Sequence, residues 1–146
     1  MIVQRFFFHV GVVVALMLST MDVQASERSH WQTDFGPVKL RVEGDGRVTG
    51  SYPDYQGSLE GELLDHHQLD LYWFQPRSDV RCNHSRGGTH YWGRVYFRIV
   101  GGERLSGEWS YCDRRAGSGG KWNGYLTSGV APGREGRHRG PGYGDR

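Results

Sequence analysis

Four short stretches of this chain share one pattern, in which a glycine sits two residues from an apolar residue on either side. They are Val48-Thr49-Gly50-Ser51-Tyr52, Leu59-Glu60-Gly61-Glu62-Leu63, Leu105-Ser106-Gly107-Glu108-Trp109 and Trp122-Asn123-Gly124-Tyr125-Leu126. In an extended strand, residues two apart share a face, so each glycine falls on the inward side between two large side chains. A missing side chain there lets the strand bend tightly or lets a neighbouring aromatic ring lie over the backbone. Repeated in four strands, the pattern demands strong curvature and predicts a closed small barrel rather than a flat sandwich. Thr49, Glu60, Glu62, Ser106, Glu108 and Asn123 then face water.

Period two continues beyond these segments. Val38, Leu40 and Val42 alternate with Lys39, Arg41 and Glu43; Glu43-Gly44-Asp45-Gly46 supplies turn chemistry, and Arg47 to Tyr52 runs back as the second arm of a hairpin. Further strands are expected at Ser58 to Leu64, Gln68 to Phe74, Tyr91 to Val100, Leu105 to Tyr111 and Lys121 to Leu126, with turns such as Asp65-His66-His67 between them. No window keeps apolar residues at helical spacing. The fold class predicted is therefore all-β, an antiparallel up-and-down meander of seven or eight strands forming a small barrel. A length of 146 residues suits one such domain, and 23 glycines beside 5 prolines with no repeating triplet exclude collagen.

Both ends of the chain read differently from the middle. Arg5 precedes an apolar run from Phe6 to Leu18, and Val23-Gln24-Ala25 places small residues where a signal peptidase reads, so residues 1–25 are expected to be a secretory signal peptide. As a helix the run is about 20 Å long, short of the roughly 30 Å hydrocarbon core, so no membrane span is expected after cleavage. The mature protein is then secreted or periplasmic, with the barrel over 26–128. Residues 129–146 are rich in Gly and Arg and poor in large apolar residues, which predicts a disordered tail. Over 26–128, 13 Lys plus Arg balance 13 Asp plus Glu, which argues against a nucleic-acid partner. Cys82 and Cys112 are the only two cysteines, and in an oxidising compartment they are expected to pair. A zinc site built from them with His84 or His90 would lack the usual short repeated spacing, so no metal and no cofactor is expected.

The segment His30-Trp31-Gln32-Thr33-Asp34-Phe35-Gly36, followed by a strand, a Gly-rich turn and Val48-Thr49-Gly50-Ser51-Tyr52, resembles the opening of the avidin and streptavidin family. Leu71-Tyr72-Trp73 and Leu105-Ser106-Gly107-Glu108-Trp109 are similar to that family's tryptophan-bearing strands. The resemblance, spanning Trp31 to Leu126, implies an up-and-down barrel with a ligand pocket at one mouth. Tyr52 matches the family's pocket tyrosine. The pocket asparagine and serine fall on Thr33 and Pro37 here, and no late aspartate is matched, so the resemblance implies the architecture and not biotin binding.

Two functional expectations follow, both non-catalytic. Arg77 to Arg94 is too long for a tight turn, and a Cys82–Cys112 bond would pin it beside Asp113 to Lys121 at one barrel end. Arg81, His84, Arg86, Arg114 and Arg115 would then form a rigid basic surface, with Trp92 turned outward among arginines. By fold-level analogy, an inhibitor or immunity-type module would present that surface to the acidic cleft of a hydrolase. The alternative is a small-ligand barrel with Tyr52, Trp73 and Trp109 lining its pocket. An open apolar mouth would favour the small ligand, and a plugged lumen with an exposed basic loop the protein partner. Enzyme signals are poor: Glu60 and Glu62 share a strand face with no cleft indicated, and His66-His67 sits in a turn.

Overall fold

A computed structural model describes residues 26–133; the expected signal peptide and residues 134–146 of the expected tail lie outside the described residues. In chain order the strands are β1 (Glu27–Thr33), β2 (Gly36–Val42), β3 (Arg47–Tyr52), β4 (Gly57–Asp65), β5 (Gln68–Gln75), β6 (Tyr91–Val100), β7 (Arg104–Tyr111), β8 (Gly120–Lys121) and β9 (Gly124–Gly129). Each of β1 to β7 pairs antiparallel with the next, and β9 pairs with both β1 and β7, which closes the sheet. The result is an eight-stranded up-and-down barrel with β8 as a short extra strand. Among the described residues, no helix is long and apolar enough to cross a membrane.

β8 and β9 run along β7 in one register, Glu108 opposite Lys121 and Leu105 opposite Gly124. Between them Trp122 N–H donates to the Gly107 carbonyl at 2.9 Å, and Asn123 Oδ1 accepts from Gly107 N–H at 3.3 Å. A side-chain oxygen there takes the place of a ladder carbonyl, so the last stave of the wall is interrupted at 122–123 without a register shift.

The inward positions are the ones the alternation marks. Val38, Leu40, Val42, Val48, Leu59, Leu69, Leu71, Val95, Phe97, Ile99 and Leu105 are all buried in one core. Removing each such side chain from water contributes about 1.5–3 kcal/mol. The repeated glycines sit where neighbouring backbone or rings come closest to the strand. A Cβ on Gly61 would lie 2.1 Å from the Asp70 carbonyl oxygen, and one on Gly107 would lie 2.5 Å from both the Phe97 ring and the Trp122 carbonyl. Neighbouring strands approach these backbones more closely than any side chain permits.

β1 carries no apolar alternation, because its other inward position is Ser29. That serine is buried and accepts a hydrogen bond from the Trp31 indole N–H at 2.8 Å, so a polar residue faces the core with its oxygen satisfied. Gly129 ends β9, and Ala131 and Pro132 beyond it are buried, with Ala131 part of the core. Residues 129–133, placed in the tail by composition, thus pack against the barrel end that carries the His66-His67 turn. A Cβ on Gly133 would meet the His66 carbonyl at 1.7 Å.

A second, smaller core lies outside the wall. Phe74, Cys82 and Trp92 are buried there, with Tyr72 and Cys112 against them, because residues 76–90 fold back over the outer face of β5 and β6. This corrects the expectation for Trp92. Alternation does turn its ring outward, yet the ring is 0% exposed, and its indole N–H donates to the His84 carbonyl at 3.0 Å. A ring covered by its own loop is not a contact surface for a partner.

Candidate functional site

The end of the barrel opposite the His66-His67 turn carries the β1–β2 turn, the 3-10 turn Pro53–Tyr55, the 76–90 loop and the 112–119 loop. Between them opens a cavity of about 530 Å³. Such a volume lies within the range of small-molecule sites, about 300–1,000 Å³. Its deepest walls are Tyr52, Trp73 and Trp122, each no more than 3% exposed. Phe35, Trp109 and Tyr111 line it at half-burial, and Tyr55, Gln75, Arg77, Ser78 and Asp79 surround the opening.

Polar tips fix the deep rings. Trp73 donates its indole N–H to the Ser110 carbonyl (3.1 Å), Trp122 donates to Thr33 Oγ1 (3.0 Å), and the Tyr52 hydroxyl donates to the Phe74 carbonyl (3.3 Å). Thr33 Oγ1 donates in turn to the Gly36 carbonyl and accepts from Phe35 N–H, so one side chain orients both Trp122 and the Phe35 turn. Burial pushes the Tyr52 phenol well above its ordinary range, only partly countered by a hydrogen bond with Gln75, and the ring stays neutral at any physiological pH. Rings anchored in this way form a preorganised wall, which lowers the entropy lost on binding.

The Cys82–Cys112 disulfide is formed, with Cα atoms 5.6 Å apart. It ties the loop that carries Arg77, Ser78 and Asp79 to the residue after Tyr111, and so holds two sides of the mouth in fixed relation. Thr89 Oγ1 donating to the Gln75 carbonyl (2.7 Å) and Cys82 N–H donating to the His90 carbonyl (2.8 Å) fasten the same loop internally.

All three residues expected for a ligand pocket, Tyr52, Trp73 and Trp109, line this one cavity. The expected basic surface is also brought to the same end, since Arg81, His84, Arg86, Arg114 and Arg115 are all exposed there. Its charge is partly engaged within the molecule. The Arg86 guanidinium sits 4.3 Å from the Tyr72 ring centroid and 4.9 Å from that of Trp92, and His84 Nε2 lies 3.6 Å from Asp113. Glu60 and Glu62 lie exposed on the outside of β4, away from the cavity.

Sequence reasoning did not place Phe35, Gln75, Ser78 or Asp79 at a site. Phe35 is an isolated apolar residue in a turn, and Gln75 to Asp79 read as solvated loop. Nothing local in the sequence marks these loop positions, because their place at the mouth follows from where the 76–90 loop folds.

Compared with known protein families, curated proteins and solved structures, the chain finds no match.

Proposed function

We propose that this chain is an exported, non-catalytic binding protein whose barrel mouth takes a small organic ligand. The observation that carries this reading is the open cavity of about 530 Å³ in which Tyr52, Trp73 and Trp109 meet. A lumen plugged at its mouth would instead have favoured capture of a protein through Arg81, Arg86 and their neighbours. That second reading ranks behind because Arg86 spends its planar face on Tyr72 and Trp92 rather than presenting it to a partner. Export is supported by the signal-like N-terminus and by the joining of the two cysteines, a bond that persists in oxidising compartments.

The test is a thermal-shift and tryptophan-fluorescence screen of a chemically diverse small-molecule collection. A ligand at about 100 times its Kd stabilises the fold by about 2.7 kcal/mol. We expect at least one chemotype to raise the Tm of the protein, and the rise to be lost when Tyr55 and Arg77 at the opening are both replaced by alanine. A screen in which no compound raises Tm would sink the proposal.

A further inference from the structure

The pocket walls meet mostly at right angles. Of the eight contacts between rings lining the cavity, seven have interplanar angles from 71° to 88°, and only Tyr52 with Tyr55 departs, at 41°. Trp73, Trp109 and Tyr111 are perpendicular to one another in all three pairings, with centroids 4.8 to 5.9 Å apart. Two contiguous rings at right angles form a corner. A flat ring can stack on one wall and turn its edge to the other, as these side chains do with one another, and a saturated ring offers C–H groups to both walls. The corner therefore accepts a puckered body with apolar patches on adjoining sides.

The polar groups narrow the chemistry further. Trp73 and Trp122 have their N–H groups occupied, but the Trp109 indole N–H and the Tyr111 hydroxyl have no partner among the described residues. Around the opening stand Gln75 and Ser78, which both donate and accept, Arg77, which only donates, and Asp79, which only accepts. The same end also carries the exposed Arg81, Arg114 and Arg115, but at the lining of the opening itself one cation and one anion offset each other. A charged ligand would be attracted by one of them and repelled by the other, while a hydroxyl donates to the carboxylate and accepts from the guanidinium.

From this geometry we infer that the mouth pocket recognises a neutral saccharide of one or two rings, its C–H faces against the aromatic corner and its hydroxyls on Asp79 and Arg77. The inference rests on the ligand-binding reading above and sharpens it to one ligand class.

The experiment is a titration of the protein, followed by calorimetry and saturation-transfer NMR. The saccharide arm holds glucose, galactose, mannose, N-acetylglucosamine and the β-1,4 disaccharides of glucose and N-acetylglucosamine. The comparison arms hold adenine and riboflavin as flat heterocycles, and choline and betaine as cationic and zwitterionic probes. At least one saccharide is expected to bind, with saturation strongest at its ring C–H protons. Asp79→Ala is expected to weaken that binding about tenfold, the loss of one hydrogen bond to a charged group, with Tm unchanged because Asp79 is exposed. Arg77→Ala gives the same test at a second exposed position. If only the comparison probes bind, the saccharide assignment is overturned and ligand binding stands. If nothing binds in any arm, the saccharide assignment is overturned, and if the broader small-molecule screen is also empty, the ligand-binding reading falls with it. A saccharide affinity unchanged in both variants would overturn the assignment of Asp79 and Arg77 as its recognition groups.

Discussion

The ring of Tyr52 lies directly over Gly57, so closely that a Cβ on the glycine would come within 2.0 Å of Tyr52 Cζ. The two residues are opposite each other where β3 and β4 pair. The same ring meets Trp122 edge to face at 5.1 Å and is 1% exposed, so the missing side chain of one glycine decides where a deep wall of the pocket stands. We expect Gly57→Ala to displace Tyr52 and cost about 1–3 kcal/mol, the usual range for overpacking. Urea unfolding measures the cost, and a loss below about 0.5 kcal/mol would contradict the packing described.

The curvature glycines differ from those in open turns. Gly61→Ala sets a methyl against the Asp70 carbonyl, a backbone atom that cannot swing away, and is expected to destabilise by about 1–3 kcal/mol. Gly88, with φ +79° and nothing within 4 Å of an added Cβ, should accept asparagine for less than about 1 kcal/mol. Equal losses at the two positions would argue that glycine content, and not close strand approach, is what matters.

Reduction of the disulfide, or Cys82→Ser with Cys112→Ser, removes a crosslink between residues 30 apart in sequence. The chain-entropy argument puts the cost at about 3–4 kcal/mol. Denaturant unfolding with and without reductant checks it, and any pocket ligand should bind more weakly to the reduced protein because the 76–90 loop loses its tie to Tyr111.

Trp92→Ala is expected to cost about 3–5 kcal/mol, a core-sized loss at a position on the outside of the wall. Arg86→Ala, which removes the side chain whose guanidinium lies over that ring and over Tyr72, should cost about 0.5–1 kcal/mol. A Trp92→Ala variant as stable as wild type would show that the outer core contributes nothing.

Acid should weaken the fold through two depressed carboxylates. The backbone N–H and then the guanidinium of Arg47 hold Asp45 below its ordinary value of 3.8, and Lys121 holds Glu108 below its ordinary 4.5. A carboxylate depressed in the folded state stabilises fully above its ordinary value, and that stabilisation is lost as pH falls through the lower folded value. Tm should therefore fall on going from about pH 6 to about pH 3, and fall less in Lys121→Met, where the Glu108 contribution is already absent. Identical falls in the two proteins would count against the Glu108–Lys121 pair.

Much of the wall was legible in advance because alternation is a local property. Val38, Leu40 and Val42 point inward for the same reason that Lys39 and Arg41 point outward, and β2 to β7 fall where that rule puts them. β1 escaped it because its inward residues are Ser29 and Trp31 rather than a row of apolar residues, the serine being buried with its oxygen bonded to the Trp31 indole. Tyr52, Trp73 and Trp109, the positions singled out by the resemblance to the avidin and streptavidin family, do line one cavity. Asp79 and Gln75 were not legible, since nothing near them in sequence says that their loop crosses a mouth. Trp92 misled because strand parity fixes which way a ring points and not what later folds over it.

The amino-acid order alone thus determined the barrel: short-range alternation sets the faces, and glycines on the inner face leave the wall no room to stay flat. Which rings become walls of a cavity and which become a covered outer core was decided only in three dimensions. The pairing of Cys82 with Cys112 was readable from the cysteine count, but where the 76–90 loop lands depends on contacts between residues far apart along the chain that no local pattern encodes.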